Sequence, residues 1–86
     1  MNDYYMAVFE STHHALKFEK TIKEGGFKLT IMPVPREITA SCGISAKLEV
    51  DEIENIKAFA VENKLKVQGY YHVESENGKK TYHKSI

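Results

Sequence analysis

The sequence predicts an α+β sandwich: one antiparallel sheet with two helices on one face. Four stretches carry strand patterning and two carry helical patterning, in the order strand–helix–strand–strand–helix–strand. The chain of 86 residues is long enough for a single small core. Its apolar fraction of 42% suits a globular chain and is too high for a disordered one.

Each element follows from its residues. Tyr4–Phe9 (YYMAVF) is apolar on both parities, which predicts a central strand covered on both faces. Ser11 or Thr12 offers a cap oxygen for the first helix. Ala15, Phe18 and Ile22 fall on one helical face, and the Glu24-Gly25-Gly26 stretch ends the helix. Phe27–Ile31 alternates strictly, as does Ile44–Glu49, so both read as half-buried strands. In the second of these, Ile44, Ala46 and Leu48 point inward. Asp51 and Glu54 have capping-box spacing with Asp51 as the cap. Ile53, Ile56, Phe59, Ala60 and Asn63 trace the second helix, and Leu65–Val73 reads as the fourth strand.

Two such units with right-handed crossovers make a ferredoxin-like βαββαβ sandwich with a four-stranded sheet. Residues 1–73 form this domain, and 74–86 form a separate hairpin or tail. Asn77-Gly78 is a strong short hairpin signal, so the fourth strand is expected to continue into an extra C-terminal hairpin strand ending near Lys84. The alternative is a loose polar tail.

Charge and composition narrow the function classes. Lys plus Arg number 12 and Asp plus Glu number 12, so no basic surplus points to nucleic acid. The apolar runs are too short for a membrane span. The N-terminal MNDYYMAVFE lacks a basic region and turns acidic at once, so it reads poorly as a signal peptide. A cytoplasmic protein is expected. The single cysteine fits that expectation and excludes an internal disulfide or a C-x-x-C couple.

That cysteine, Cys42, lies in a polar turn within PVPREITASCG, residues 33–43. The predicted topology brings three things to the same end of the sheet: the start of the first helix at Ser11–His14, the end of the second strand, and the start of the third. The end of the second helix arrives there too. Cys42 would then neighbour a helix N-terminus, Arg36 and His13. A helix N-terminus or a nearby cation lowers a thiol pKa from about 8.5 into the range of roughly 3.5 to 7.5, and the thiolate is the nucleophile. Gly43 leaves room for a bulky donor, while Pro33 and Pro35 restrict the loop. The competing reading is a buried cysteine acting as a small hydrophobe. Arg36 likewise has two readings, a ligand clamp or a salt bridge with Glu37.

Other motifs carry less. His13 and His14 diverge by about 100° on a helix and cannot easily grip one ion, so no metal site is expected. No Walker loop, G-x-G-x-x-G or identifiable carboxylate pair is present, and no cofactor is implied. Ser45, Lys47, Glu49, Lys66, Gln68, Tyr70 and His72 read as outward-facing. The face without helices, with Tyr70 on it, is either solvated or a sheet-to-sheet homodimer contact.

The stretches VFESTHHALKFEKTIKEGG and IMPVPREITASCG, with the helix from Asp51, resemble the selenium/sulfur carrier-like domain, a small bacterial family. The resemblance spans roughly residues 4–73, and its most specific piece is Pro-Val-Pro-Arg followed by Ser-Cys-Gly. It implies a thiol site at Cys42 with Arg36, Ser41 and Gly43 around it, and Ser11 and His13 at the turn after the first strand. The implied function is a carrier that holds a persulfide or perselenide on Cys42, with sulfur or selenium donor and acceptor proteins as partners. The alternative is a non-catalytic module that binds a small anion or a partner protein. A thiol redox sensor is a third reading.

Overall fold

The strands arise where apolar side chains alternate, and pairing sorts them into two apolar faces. The structure, a computed structural model, describes residues 3–38 and 43–85. In chain order it contains β1 (Tyr4–Val8), α1 (Thr12–Glu24), β2 (Leu29–Pro33), β3 (Ile44–Leu48), a 3-10 turn (Val50–Glu52), α2 (Ile53–Glu62), β4 (Gly69–Glu76) and β5 (Lys79–Ser85). The sheet order is β2-β3-β1-β4-β5, and all neighbours are antiparallel. The α+β class holds, and the hairpin strand expected beyond the four-stranded sheet is present: the tail pairs as β5 and becomes an edge of a five-stranded sheet. The arrangement thereby departs from a four-strand ferredoxin-like order. Among the described residues, no helix is long and apolar enough to cross a membrane.

α1 begins where Ser11 sits extended and its hydroxyl accepts from the His14 N–H. It buries Ala15, Phe18 and Ile22, the spacing of one helical face. α2 buries Ile53, Ile56 and Ala60. These side chains meet Ala7 and Phe9 of the first-strand segment and Ala46 and Leu48 of β3 in one core. Each large apolar side chain buried there contributes roughly 1.5–3 kcal/mol. The expected Asp51 cap is absent. The chain makes its 3-10 turn first, and Glu52 precedes α2 without a side-chain cap bond.

A second core lies on the opposite face, built from Tyr4, Met6, Val8, Ile38 and Val73, with Met32, Val34, Tyr71 and Tyr82 packed against it. The face expected to be free of cover therefore carries residues of the β2–β3 loop. Two side chains read as outward are placed otherwise. Ser45 is fully buried and donates to the Met32 carbonyl at 3.2 Å. Tyr70 packs on the helix side, with the Lys57 ammonium 5.2 Å from its ring centre. Strand β4 starts at Gly69, four residues later than its apolar run, which leaves Leu65 and Val67 to pack from a connecting segment.

Candidate functional site

The β2–β3 hairpin sets the base of the site. Pro33 pairs with Ile44, and beyond that pair the Val34 N–H donates to the Gly43 carbonyl at 3.2 Å. The chain then turns: the Ile38 N–H donates to the Pro35 carbonyl at 3.1 Å, leaving Arg36 and Glu37 exposed at the tip. Ile38 is 9% exposed and joins the second core. Its companions come from β1 and β4, so the loop leaves one edge strand and crosses the sheet. Glu37 reaches farther still, lining a cavity of about 460 Å³ with Gly78, Lys79, Lys80 and Tyr82 of the β4–β5 hairpin.

This span has an electrostatic consequence. The Tyr82 phenol is held above its usual value, first by burial and then by the nearby Glu37 carboxylate and Tyr4 phenol, with Lys80 acting in the opposite sense. The same surroundings thus favour the protonated phenol, which keeps its O–H.

The convergence at the end of the sheet is visible in the register. Val8 lies opposite Ser45 on one side and Gly69 on the other, and Ser45 lies opposite Met32. The Gln68 N–H donates to the Val8 carbonyl at 2.8 Å. α1 starts just beyond. His13 lines a cavity of about 110 Å³ with His14, Lys17, Lys64, Leu65 and Lys66, so the first turn of α1 meets the α2–β4 connection. Ser11 is occupied locally, capping α1 and lying 3.2 Å from the His14 Nδ1.

Arg36 is exposed at the loop tip, and among the described residues it forms no ion pair with Glu37. Gly43 is exposed, and among the described residues, its chain neighbours aside, no atom lies within 4 Å of where a Cβ would stand. That leaves the space a docking molecule would need. Ser41 and Cys42 lie outside the described residues. They fall between buried Ile38 and hydrogen-bonded Gly43. Among the described residues, no three His, Cys, Asp or Glu side chains converge to hold a metal ion.

Sequence reasoning did not bring Lys80 and Tyr82 to the loop. Asn77-Gly78 marked the hairpin that carries them, but not the crossing of the loop that meets it.

Residues 4–72 match the family described as "Putative Se/S carrier protein-like". No curated protein and no solved structure matches the chain.

Proposed function

From the premise that this chain belongs to the Se/S carrier protein-like family, we propose that it carries sulfur or selenium on Cys42. The observation that carries this reading is the family match over residues 4–72, which includes the only cysteine of the chain. The tethering of the loop at Ile38 and at Gly43 supports it, because a loop fixed at two points loses less entropy on docking a donor.

The chemistry needs one thiolate and no partner cysteine within the chain. The Cys42 thiolate attacks the terminal sulfur of a donor persulfide. The donor's S–S bond breaks, its thiolate leaves with the electron pair, and Cys42 becomes a persulfide. An acceptor nucleophile then takes the terminal sulfur and returns the Cys42 thiolate. The selenium version runs the same way through a perselenide. Arg36, Ser41 and Gly43 are the residues proposed to surround the terminal atom, Arg36 as the counter-charge and Gly43 as the open side. Ser11 and His13 belong to the same end of the sheet. Donor and acceptor proteins in the cytoplasm are the proposed partners. The order of the first four strands supports a ferredoxin-like unit that β5 extends.

A second reading has its own observation. Among the described residues, the lining of the cavity at His13, Lys17, Lys64 and Lys66 holds no acidic residue, which favours a module that binds a small anion.

Exposure of the protein to a persulfide donor, followed by mass spectrometry of the intact chain, separates the two. The carrier gains one sulfur atom, and Cys42→Ser gains none. A binding module gains none in either form and keeps its ligand in Cys42→Ser.

A further inference from the structure

The two edges of the sheet are guarded unequally. β5 forms one edge and carries Lys79, Lys80 and Lys84. β2 forms the other, and its residues Leu29–Pro33 hold no charge. Lysines on an edge strand discourage a further strand from adding there, and β2 lacks that guard. The ladder fixes which groups of β2 face outward. The Val34 N–H donates to the Gly43 carbonyl in the same register that pairs Met32 with Ser45 and Thr30 with Lys47. Antiparallel bonding alternates along a strand, so Thr30 and Met32 bond to β3, while Leu29, Ile31 and Pro33 turn their backbone polar groups away from it. Pro33, which has no N–H to offer, falls on an outward position, as an edge strand allows. Among the described residues, no strand takes up the outward groups of Leu29 and Ile31.

An exposed apolar side chain lies on the same side of the molecule. Leu16 of α1 is 51% exposed. One flank of α1, with His14 and Lys17, meets residues 64–66. The other flank holds Lys23, which lines a cavity with Phe27, Lys28, Leu29 and Thr30 on the side of β2. Leu16 precedes Lys23 by seven residues, two helical turns, and so shares that flank. Leu29 and Ile31 lie on the helix side of the sheet and are only partly buried. Leu16, Leu29 and Ile31 thus border the open edge with apolar surface. Glu19 and Lys23, paired at 3.0 Å, bring both signs of charge to the same flank.

We propose that the chain forms a homodimer by antiparallel pairing of β2 with β2 of a second copy. A two-fold axis at Ile31 sets Ile31 opposite its counterpart, Thr30 opposite Met32, and Leu29 opposite Pro33. The two Ile31 residues exchange both backbone bonds, and each Leu29 N–H donates to a Pro33 carbonyl. A second copy suits this edge because charge does not oppose it. No charged residue enters the pairing, and each α1 flank offers the other both a carboxylate and an ammonium. Residues directly opposite in an antiparallel pair share a face, so the two α1 helices lie on the same side of the joined sheet, with Leu16 toward the partner copy. The helix-free face expected as a homodimer contact instead carries Ile38 and its loop. The dimer is independent of thiol chemistry.

The test is sedimentation equilibrium of the full chain over a range of concentrations, with reductant present so that no intermolecular disulfide contributes. The expected result is a reversible mass of twice the 9.8 kDa chain. Amide exchange of the 15N-labelled chain supplies the second readout. In the dimer the Leu29 and Ile31 amides are protected along with Thr30 and Met32, and dilution releases Leu29 and Ile31 alone. Leu16→Glu, at an exposed helix position, leaves the fold intact and weakens dimerisation about tenfold or more by setting a charge against apolar surface. A single-chain mass at every concentration would overturn the proposal and leave the edge to a strand of a different protein. A dimer whose Leu29 and Ile31 amides exchange freely, or one unchanged by Leu16→Glu, would overturn it too.

Discussion

The Val34 N–H donates to the Gly43 carbonyl across 3.2 Å, closing the β2–β3 loop at its neck. From there Ile38 anchors the loop in the second core, over strands β1 and β4. In sequence, Cys42 thus falls between an apolar anchor at Ile38 and a hydrogen-bonded neck at Gly43.

Removing the anchor tests that arrangement. Ile38→Ala deletes a buried side chain from a cluster that also holds Tyr4, Met6, Val8 and Val73. The expected cost is about 2 kcal/mol, because the loop can settle partly into the gap. Urea unfolding checks it: the midpoint falls while the slope stays unchanged.

The hairpin turn has its own requirement. Asn77 and Gly78 have φ of 53° and 79°, both left-handed, as a two-residue type I′ turn demands. Gly78→Ala places a Cβ where the backbone disfavours one, at a cost of roughly 1 kcal/mol or more. The cost appears in urea melts. Amide exchange along β5 speeds up as well.

Much of the fold was legible because local patterning and burial agree in it. Ala15, Phe18 and Ile22 read as one helical face and are buried as one. Ile44, Ala46 and Leu48 alternate inward as their spacing implies. The apolar content of β1 on both parities foretold cover on both faces, and both faces are covered. What covers the second face was not legible. Ile38 stands in a polar loop, and no periodicity marks a lone apolar residue as a long-range anchor. Tyr70 was assigned to the wrong face because alternation gives a parity without saying which side holds the helices. Asp51 has cap spacing, yet a 3-10 turn moves the helix start past it. Around the site, the meeting of α1 with the ends of the strands followed from topology alone. The reach of Glu37 to the hairpin depended on a tertiary crossing that no local signal encodes.

Acid titration probes the packing at the start of β1. The Asp3 carboxylate lies 3.0 Å from the His72 Nε2, and that hydrogen bond holds it below the usual carboxylate range. The His72 ring in turn stacks on Tyr5 at 4.7 Å. A depressed carboxylate favours the folded state above its ordinary value and loses that contribution as the pH falls through the folded value. Stability measured against pH should thus drop on the acid side, and Asp3→Asn should flatten that drop.

The alkaline side has a different reporter. Burial pushes the Tyr70 phenol up to about 12. Stability linked to it is intact below the ordinary phenol value near ~10 and is lost as the pH rises toward the folded value. Ultraviolet titration of phenolate formation should show a late-ionising tyrosine, and Tyr70→Phe should remove that step.

The proposed accessible, activated thiol at Cys42 is tested most directly by the pH dependence of its alkylation in the folded protein. Fast labelling with an apparent pKa well below the free-thiol value of about 8.5 is the expected result. Slow labelling that accelerates only when the chain unfolds would contradict it, and Cys42 would then be a buried structural residue.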